Sequence, residues 1–465
     1  MPDRLRSQRT SLGSIDPLNI GLQPPPNETE EEKVARLEAA REATRVSRTI
    51  DVGLAESKKA LERKKRAVKI LLLGQSESGK SSVLRNFRLA FTPKYFESER
   101  LVWKTVIQLN LISSIKKILT ILHDEWGPET DSSAESKPPG ISLNSDHKRL
   151  ALSLSPLLAF ETSISRIMNS DSPGGEGYTV TVRPGGGWKD KLASFGRSAS
   201  PESQSPTAET SSDPSQVTQV LAACQNEIVA LWEDPIVRRV LEANEVYLQD
   251  DAGFFLDDTA RIAALDYVPS DRDIMRARIR TLGVEEHRFV TESGFRAGTE
   301  FFITDVCGSS SQRSTWIPYF DDVQAILFLA PLAFWQSLDE DTKINRIQDS
   351  LELWREIVSN PLLAKTAFIL LFNKKDVLQA HINAGIMVKK YVPSFGDRPN
   401  DVPSVTKYFR DKFSAYHRKF SPEPRQFIFY ETEAIDTKST AIILGEVQEQ
   451  IIRNHLKDLD VIYRS

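Results

Sequence analysis

Apolar residues follow two spacings along this chain, and the order in which the spacings alternate outlines a fold. Apolar runs that read as buried strands fall at residues 68–73, 288–292, 300–305, 325–330, 367–372 and 426–430. Residues 82–89 read as the start of a helix directly after the first strand. Between that helix and the second strand the period changes. Val102, Val106, Ile107, Leu111, Ile115, Ile118, Leu119 and Leu122 form one helical stripe, and Val217, Leu221, Cys224, Ile228 and Leu231 another. Such an order predicts an α/β fold, a mostly parallel sheet with helices on both faces, interrupted by an inserted all-helical domain. A ligand is then expected at the carboxyl ends of the strands.

Composition divides the remainder. Residues 1–28 are polar and proline-rich and are expected to be a disordered tail, whereas 29–66 are rich in Glu, Ala, Lys, Arg and Leu and favour one long helix. The helical block is broken at 127–215 by Ser, Pro, Gly, Glu and Thr, including GGEGYTVTVRPGGGW. That stretch is too poor in apolar surface to offset its ordering entropy, so a flexible insertion is expected, with a short helix surviving at 146–162. Ser200 and Ser205, each before proline, are candidate phosphate acceptors. The expected divisions are 1–28, 29–66, a sheet domain from 67–98 and 275–465, and a helical domain from 99–274.

The chain has 465 residues, 40% hydrophobic and 27% charged, with a net charge of −4. This balance excludes a strongly cationic nucleic-acid binder. Two cysteines, Cys224 and Cys307, are too few for a disulfide framework. No apolar stretch reads as approaching the roughly 20 residues of a membrane span, and no secretory segment is evident at Met1, so an intracellular protein is expected.

Chemistry enters at residues 71–82, LLLGQSESGKSS, where an apolar run ends in Gly74-x-x-x-x-Gly79-Lys80-Ser81. Backbone N–H groups of a glycine-bent loop and the following helix N-terminus make an anion nest. Lys80 can reach the outer phosphates, and Ser81 offers a hydroxyl to Mg²⁺. A Gly-Ser surface turn is the plainer alternative, but the strand-loop-helix context favours a nucleoside triphosphate. Asn373-Lys374-Lys375-Asp376 follows another apolar strand. A carboxylate there accepts from both the ring N–H and the exocyclic amine of guanine, while adenine presents the wrong donors, so GTP is favoured.

With these motifs in order, the chain resembles the α subunits of heterotrimeric G proteins from about Arg45 to Leu456. Glu77 and Ser78 stand in the family's places in the first loop. Residues 266–283, DYVPSDRDIMRARIRTLG, look like its first switch, 301–308, FFITDVCG, like its second, and 432–437, TEAIDT, like its last guanine loop. The resemblance implies a Ras-like P-loop GTPase binding GTP/GDP and Mg²⁺. It assigns Gly74, Glu77, Ser78, Gly79, Lys80, Ser81, Ser82, Asp251, Met275, Arg276, Arg278, Thr281, Asp305, Gly308, Asn373, Lys374, Asp376 and Ala434 to the nucleotide. Ser81 and Thr281 fall to the metal, with Asp305 holding it through water. Lys80 and Arg278, the built-in arginine finger, become catalytic. An exposed basic strand at Arg276, Arg278 and Arg280 is the alternative.

Departures from the family pattern are as informative. Ser309 stands where the resemblance places the water-orienting glutamine, and a serine lacks its reach and its paired carbonyl and amide, so slow hydrolysis is expected. Gln312, three residues on, could be brought inward by a rearranged switch, but an exposed loop residue is the favoured reading. Cys307 replaces a glycine in the hinge. Arg313 and Asp349 occupy the places of a switch ion pair, and Trp316 that of a tryptophan facing the β subunit, with ordinary packing an equal alternative. The resemblance implies a β/γ dimer as partner, docked on the N-terminal helix, whose Lys58, Lys59, Arg63, Lys64, Lys65 and Arg66 could face anionic lipid or equally form a solvated helix face. Pro2 occupies the usual acyl site and no cysteine precedes Cys224, so membrane contact is expected to be peripheral at most. The ending HLKDLDVIYRS departs from receptor-reading tails and argues against coupling to a seven-helix receptor. A cytoplasmic protein, at the inner face of the plasma membrane within a heterotrimer, is expected. The function the resemblance implies is a GTP/GDP switch in transmembrane-receptor signalling, and its alternative is a GTP-bound scaffold that hardly hydrolyses and no longer couples to a receptor.

Overall fold

Continuous apolar runs become strands here because helices cover both sides of the sheet. In the computed structural model the described residues are 29–126, 143–158, 181–182, 214–244, 246–281, 283–292, 298–338, 341, 343–432, 436–438, 441–447, 449 and 451. Six strands, β1 (Val68–Gly74), β2 (Val284–Val290), β3 (Glu300–Val306), β4 (Ala325–Pro331), β5 (Ala367–Asn373) and β6 (Ile428–Glu431), form one sheet in the order β2-β3-β1-β4-β5-β6. Only β2 is antiparallel, Val284 lying opposite Val306 and Val290 opposite Glu300. The period-2 alternation sends Leu71, Leu73, Phe328, Leu370 and Phe372 into one apolar layer and Ile70, Leu72, Leu327, Ile369 and Leu371 into the other.

The first layer is completed by helices Arg346–Val358 and Val402–Phe420, where Trp354 packs edge-on against Phe328, Phe368 and Phe413. Helix Lys80–Phe91 and the helical residues 441–447 complete the second, through Val83, Phe87, Leu444 and Val447. A third apolar cluster is entirely helical. Its axis is helix Arg100–Glu125, whose eight stripe residues are all buried. This helix has the length and hydropathy of a membrane span, contrary to the expectation that no such stretch exists. Its apolar surface is mostly buried against neighbouring helices, as in a core helix of a folded domain.

Two further expectations are corrected. The stripe through Val217 and Leu231 belongs to two helices, Pro214–Ala223 and Gln225–Glu233, because Cys224 takes a non-helical backbone between them. The strand expected at 288–292 runs instead over Val284–Val290. It is an edge strand buried on one face, so Glu285, Glu286 and Arg288 dilute its apolar signal. Within the insertion, helix Ser145–Ser153 is present with Asn144 capping it, and Thr181–Val182 pairs in parallel with Arg280–Thr281. Ser200, Ser205, most of the remaining insertion and the chain termini lie outside the described residues.

The chain divides into two compact units, residues 1–66 and 67–465. In the first, Glu30–Arg66 is one helix of 37 residues opening with Glu30, Glu31 and Glu32, which complement the positive end of the helix dipole. Lys58 and Lys59 on it are exposed. The second unit contains the sheet and the helical cluster.

Candidate functional site

The ends of β3 and β5 and the loop after β1 surround a cavity of about 360 Å³, also bordered by the helical cluster. The loop after β1 lines it through Ser76, Glu77, Gly79, Lys80 and Ser81. Glu77 and Gly79 have φ of 61° and 99°, and this left-handed backbone bends the loop. A Cβ on Gly79 would also lie 2.0 Å from Nδ2 of Asn373, so glycine is required by both conformation and space. Helix Lys80–Phe91 starts here with no side chain capping its first N–H groups, which leaves that end suited to an anion.

Lys80 is buried and donates from Nζ to the carbonyls of Gly74 at 2.8 Å and Gln75 at 2.6 Å. Burial pulls its pKa down to about 8, against the opposing pull of Asp305. Asp305, 3% exposed, accepts from the Ser81 hydroxyl at 3.1 Å through one oxygen, while its other oxygen has no protein partner. Burial raises the Asp305 pKa, with Lys80, Ser81 and Arg85 opposing. Burial likewise works against the Glu77 carboxylate. The charges of Arg278, Lys374, Arg346 and Lys117 outweigh it, and the pKa falls below the ordinary value.

Opposite the loop, Ser82 donates to the Met275 carbonyl at 3.0 Å, and Arg85 donates to the carbonyls of Ile274, Met275 and Ala277. Arg276 pairs with Asp258 at 2.8 Å, Arg278 pairs with Glu77, and Lys117 pairs with Asp251 at 2.9 Å. Directly against the loop, Asn373 donates from Nδ2 to the Ser78 carbonyl at 2.9 Å. Lys374 takes a left-handed backbone with φ 61°, and burial lowers its pKa. Lys374 and Asp376 both line the cavity.

Of the residues singled out by sequence, Glu77, Gly79, Lys80, Ser81, Ser82, Asp251, Met275, Arg276, Arg278, Asp305, Gly308, Asn373, Lys374 and Asp376 line this one space. Gly74 ends β1 and Ser78 is buried behind the loop. The Thr281 side chain and Ala434 lie outside the described residues. Ser309 is 3% exposed and its hydroxyl is 2.8 Å from that of Ser311, while Gln312 accepts from the Gly283 N–H at 3.1 Å. Neither side chain lines the cavity. Arg313 makes two bonds to Asp349, at 3.0 and 2.6 Å, and Gln75 donates to the same carboxylate at 2.5 Å. Trp316 is buried and donates to the Cys307 carbonyl at 3.0 Å.

Sequence reasoning missed several residues of the site. Arg346, 2% exposed, donates to the Ser76 carbonyl at 2.8 Å and lies 3.5 Å from Glu77. His381 stacks on Trp335 at 3.8 Å and lies 2.9 Å from Asp250. Asn110 and Arg85 were missed as well. Nothing in the sequence separates a buried arginine or asparagine inside a helix from an exposed one, so only Arg85, one turn beyond Ser81, carried a positional signal.

The profile of a family described as "G-protein alpha subunit" matches residues 44–451. This chain belongs to the G-protein alpha subunit family. The guanine nucleotide-binding protein alpha-4 subunit of Mycosarcoma maydis is 32% identical, covering 96% of this chain and 95% of its own length. The alpha-2 subunit of Neurospora crassa is 28% identical, with 90% and 96% covered, and human subunit alpha-12 is 28% identical, with 91% of both covered. As a G-protein alpha subunit, the chain combines a Ras-like GTPase fold with a helical domain and serves as the guanine-nucleotide-binding subunit of a heterotrimeric G protein. GTP hydrolysis and β/γ partners are properties of the G-protein alpha subunit family as a whole.

Proposed function

We propose that guanine nucleotide spans the cavity, phosphates on Gly79, Lys80, Ser81 and Ser82 and base on Asn373, Lys374 and Asp376, and that this chain hydrolyses GTP slowly. The observation that carries the binding proposal is the 2.9 Å bond from Asn373 to the Ser78 carbonyl. It ties the loop after β1 to the loop after β5, so residues of both border one cavity, which supports this reading. Arg278, Arg276 and Asp251 face the nucleotide from the helical side, and Ala434 belongs to the last guanine loop. The proposed domains are 67–98 with 275–465 for nucleotide chemistry and 99–274 for the helical cover.

The donor set fits magnesium. Ser81 and Asp305 are hard oxygen donors, Asp305 keeps one buried oxygen without a protein partner, and no cluster of three His, Cys, Asp or Glu exists among the described residues. Few protein oxygens completed by phosphate and water is the usual arrangement for this ion. Ser81 and Thr281 would hold it directly and Asp305 through water, and it would neutralise phosphate charge.

Slow turnover follows from Ser309, whose hydroxyl bonds to Ser311, and from Gln312, which is engaged by Gly283. Ser309 has no paired carbonyl and amide to offer an attacking water, and Gln312, whose Oε1 accepts from Gly283, does not line the cavity. Single-turnover hydrolysis is expected to rise about tenfold or more in Ser309→Gln, the ~1.4 kcal/mol of one well-placed hydrogen bond. An unchanged rate removes the proposal. A scaffold that stays GTP-bound is the second reading. It draws support from Gln75, which fastens Asp349, and through it Arg313, to the phosphate loop. The exposed N-terminal helix suits docking of β/γ, and the proposed location is the cytoplasm with peripheral membrane contact at most. Receptor coupling is not part of this proposal.

A further inference from the structure

The segment that carries Arg278 is held from two sides, and one of them lies in the helical cluster. Asn110 sits midway along helix Arg100–Glu125, between the fully buried Leu109 and Leu111, and is itself 5% exposed. Its Oδ1 accepts from the backbone N–H of Arg278 at 2.7 Å, and its Nδ2 donates to the Arg278 carbonyl at 2.9 Å. One side chain thereby satisfies both backbone polar groups of a single residue 168 positions away, and this pairing fixes which way the amide faces. An asparagine in a helix interior is a poor helix former and costly to bury, so its two bonds to Arg278 are what offset its presence here.

Gly253 closes the other side. It has φ +81°, and a Cβ there would lie 2.8 Å from the Arg278 Cβ and 3.1 Å from Asn110 Oδ1. Two residues earlier, Arg276 is tied to the same helical cluster through Asp258 at 2.8 Å and the Phe254 carbonyl at 2.7 Å. The guanidinium of Arg278 points the opposite way, into the cavity, where it pairs with Glu77 of the phosphate loop. A continuous path therefore runs from the helical core through Asn110 and the Arg278 backbone to the charge that faces the phosphates.

We propose that Asn110 is a positioning residue for GTP hydrolysis, setting the reach of the Arg278 guanidinium by gripping its backbone. The proposal rests on Arg278 acting as the arginine finger. An arginine side chain is long and flexible, so the position of its charge depends on where its backbone is anchored. A displacement of about 1 Å in a catalytic group lowers a rate about a hundredfold. The helical domain on this view is part of the hydrolytic apparatus and not only a cover over the nucleotide.

The test is single-turnover GTP hydrolysis in the full chain for wild type, Asn110→Ala, Arg278→Ala and the double variant, with GDP affinity and Tm measured alongside. Asn110→Ala is expected to slow hydrolysis about tenfold to a hundredfold while GDP affinity stays within about threefold. In the Arg278→Ala background it should add no further loss, because two residues acting through one group are not additive. Asn110→Asp, isosteric and still able to accept from the Arg278 N–H but setting a second acceptor against its carbonyl, should slow hydrolysis at least as much, and it serves if the alanine variant does not fold. Equal slowing with and without Arg278 would mean that Asn110 acts only through the fold, and an unchanged rate in both Asn110 variants would equally overturn the proposal. A normal rate in Arg278→Ala refutes the arginine assignment itself, a different failure recognisable from that single variant.

Discussion

Nucleotide binding should draw a proton onto Lys80 when the pH is above about 8. In the protein alone, burial lowers the Lys80 pKa from 10.5 to about 8. At about 1.4 kcal/mol per pH unit, that drop is about 3 kcal/mol of cost for holding the charge in the cavity. Phosphate oxygens placed against Nζ restore the preference for the charged form, so the bound state keeps its proton to higher pH than the free one. The sign follows directly. Below pH 8 both states are protonated and affinity is flat. Between about 8 and 10.5 the free protein has lost a proton that the complex retains, and affinity weakens by up to tenfold per pH unit. Isothermal titration of GDP and magnesium at pH 8.5, in two buffers of different ionisation enthalpy, should report uptake of about 0.8 proton, against about 0.1 at pH 7. Lys80→Arg, which stays charged throughout, should lose the uptake wherever binding persists, and any contribution from the guanine ring remains in that variant. Uptake near zero for the wild type at pH 8.5 would refute the assignment of Lys80 to the phosphates.

Base reading is tested by Asp376→Asn. The amide donates to a ring carbonyl where the carboxylate accepted from an amine, so preference should move from GTP toward xanthosine triphosphate by about a hundredfold or more in competition binding, and a retained guanine preference contradicts the assignment. His417 is buried beside Trp354 and Phe368, and burial lowers its pKa from 6.5 to about 4. The unfolded chain therefore binds the proton first as pH falls. Stability is full above pH 6.5 and is lost progressively down to pH 4, about 2 kcal/mol of it by pH 5. Urea unfolding at pH 7 and pH 5 should show a smaller pH-dependent loss in His417→Phe than in wild type, and equal losses contradict it.

The sheet was legible because its strands are covered on both faces, which leaves long apolar runs with few polar interruptions. β2 was legible only in part, since its exposed face carries Glu286 and Arg288. The break at Cys224 was hidden for a different reason. Two short helices in line keep the same apolar period, and the stripe reads as one. Among site residues, those joined by fixed local spacing, such as Gly79, Lys80 and Ser81 or Asn373 and Asp376, were evident from the chain alone. Asn110 and Arg346 were not, because their partners Arg278 and Ser76 lie 168 and 270 positions away. Contacts of that range exist only once the fold has brought the segments together.

Whether this cavity holds guanine nucleotide is decided by the identity and occupancy of what the purified chain carries. The full chain, purified in magnesium buffer, can be denatured and its released nucleotide separated and quantified, with equilibrium binding of GDP, GTP and ATP measured on the same preparation. About one guanine nucleotide per chain, with GTP and GDP bound far more tightly than ATP, is the predicted result. A chain that carries no guanine nucleotide and binds neither GDP nor GTP, or that prefers ATP, is not a guanine-nucleotide switch.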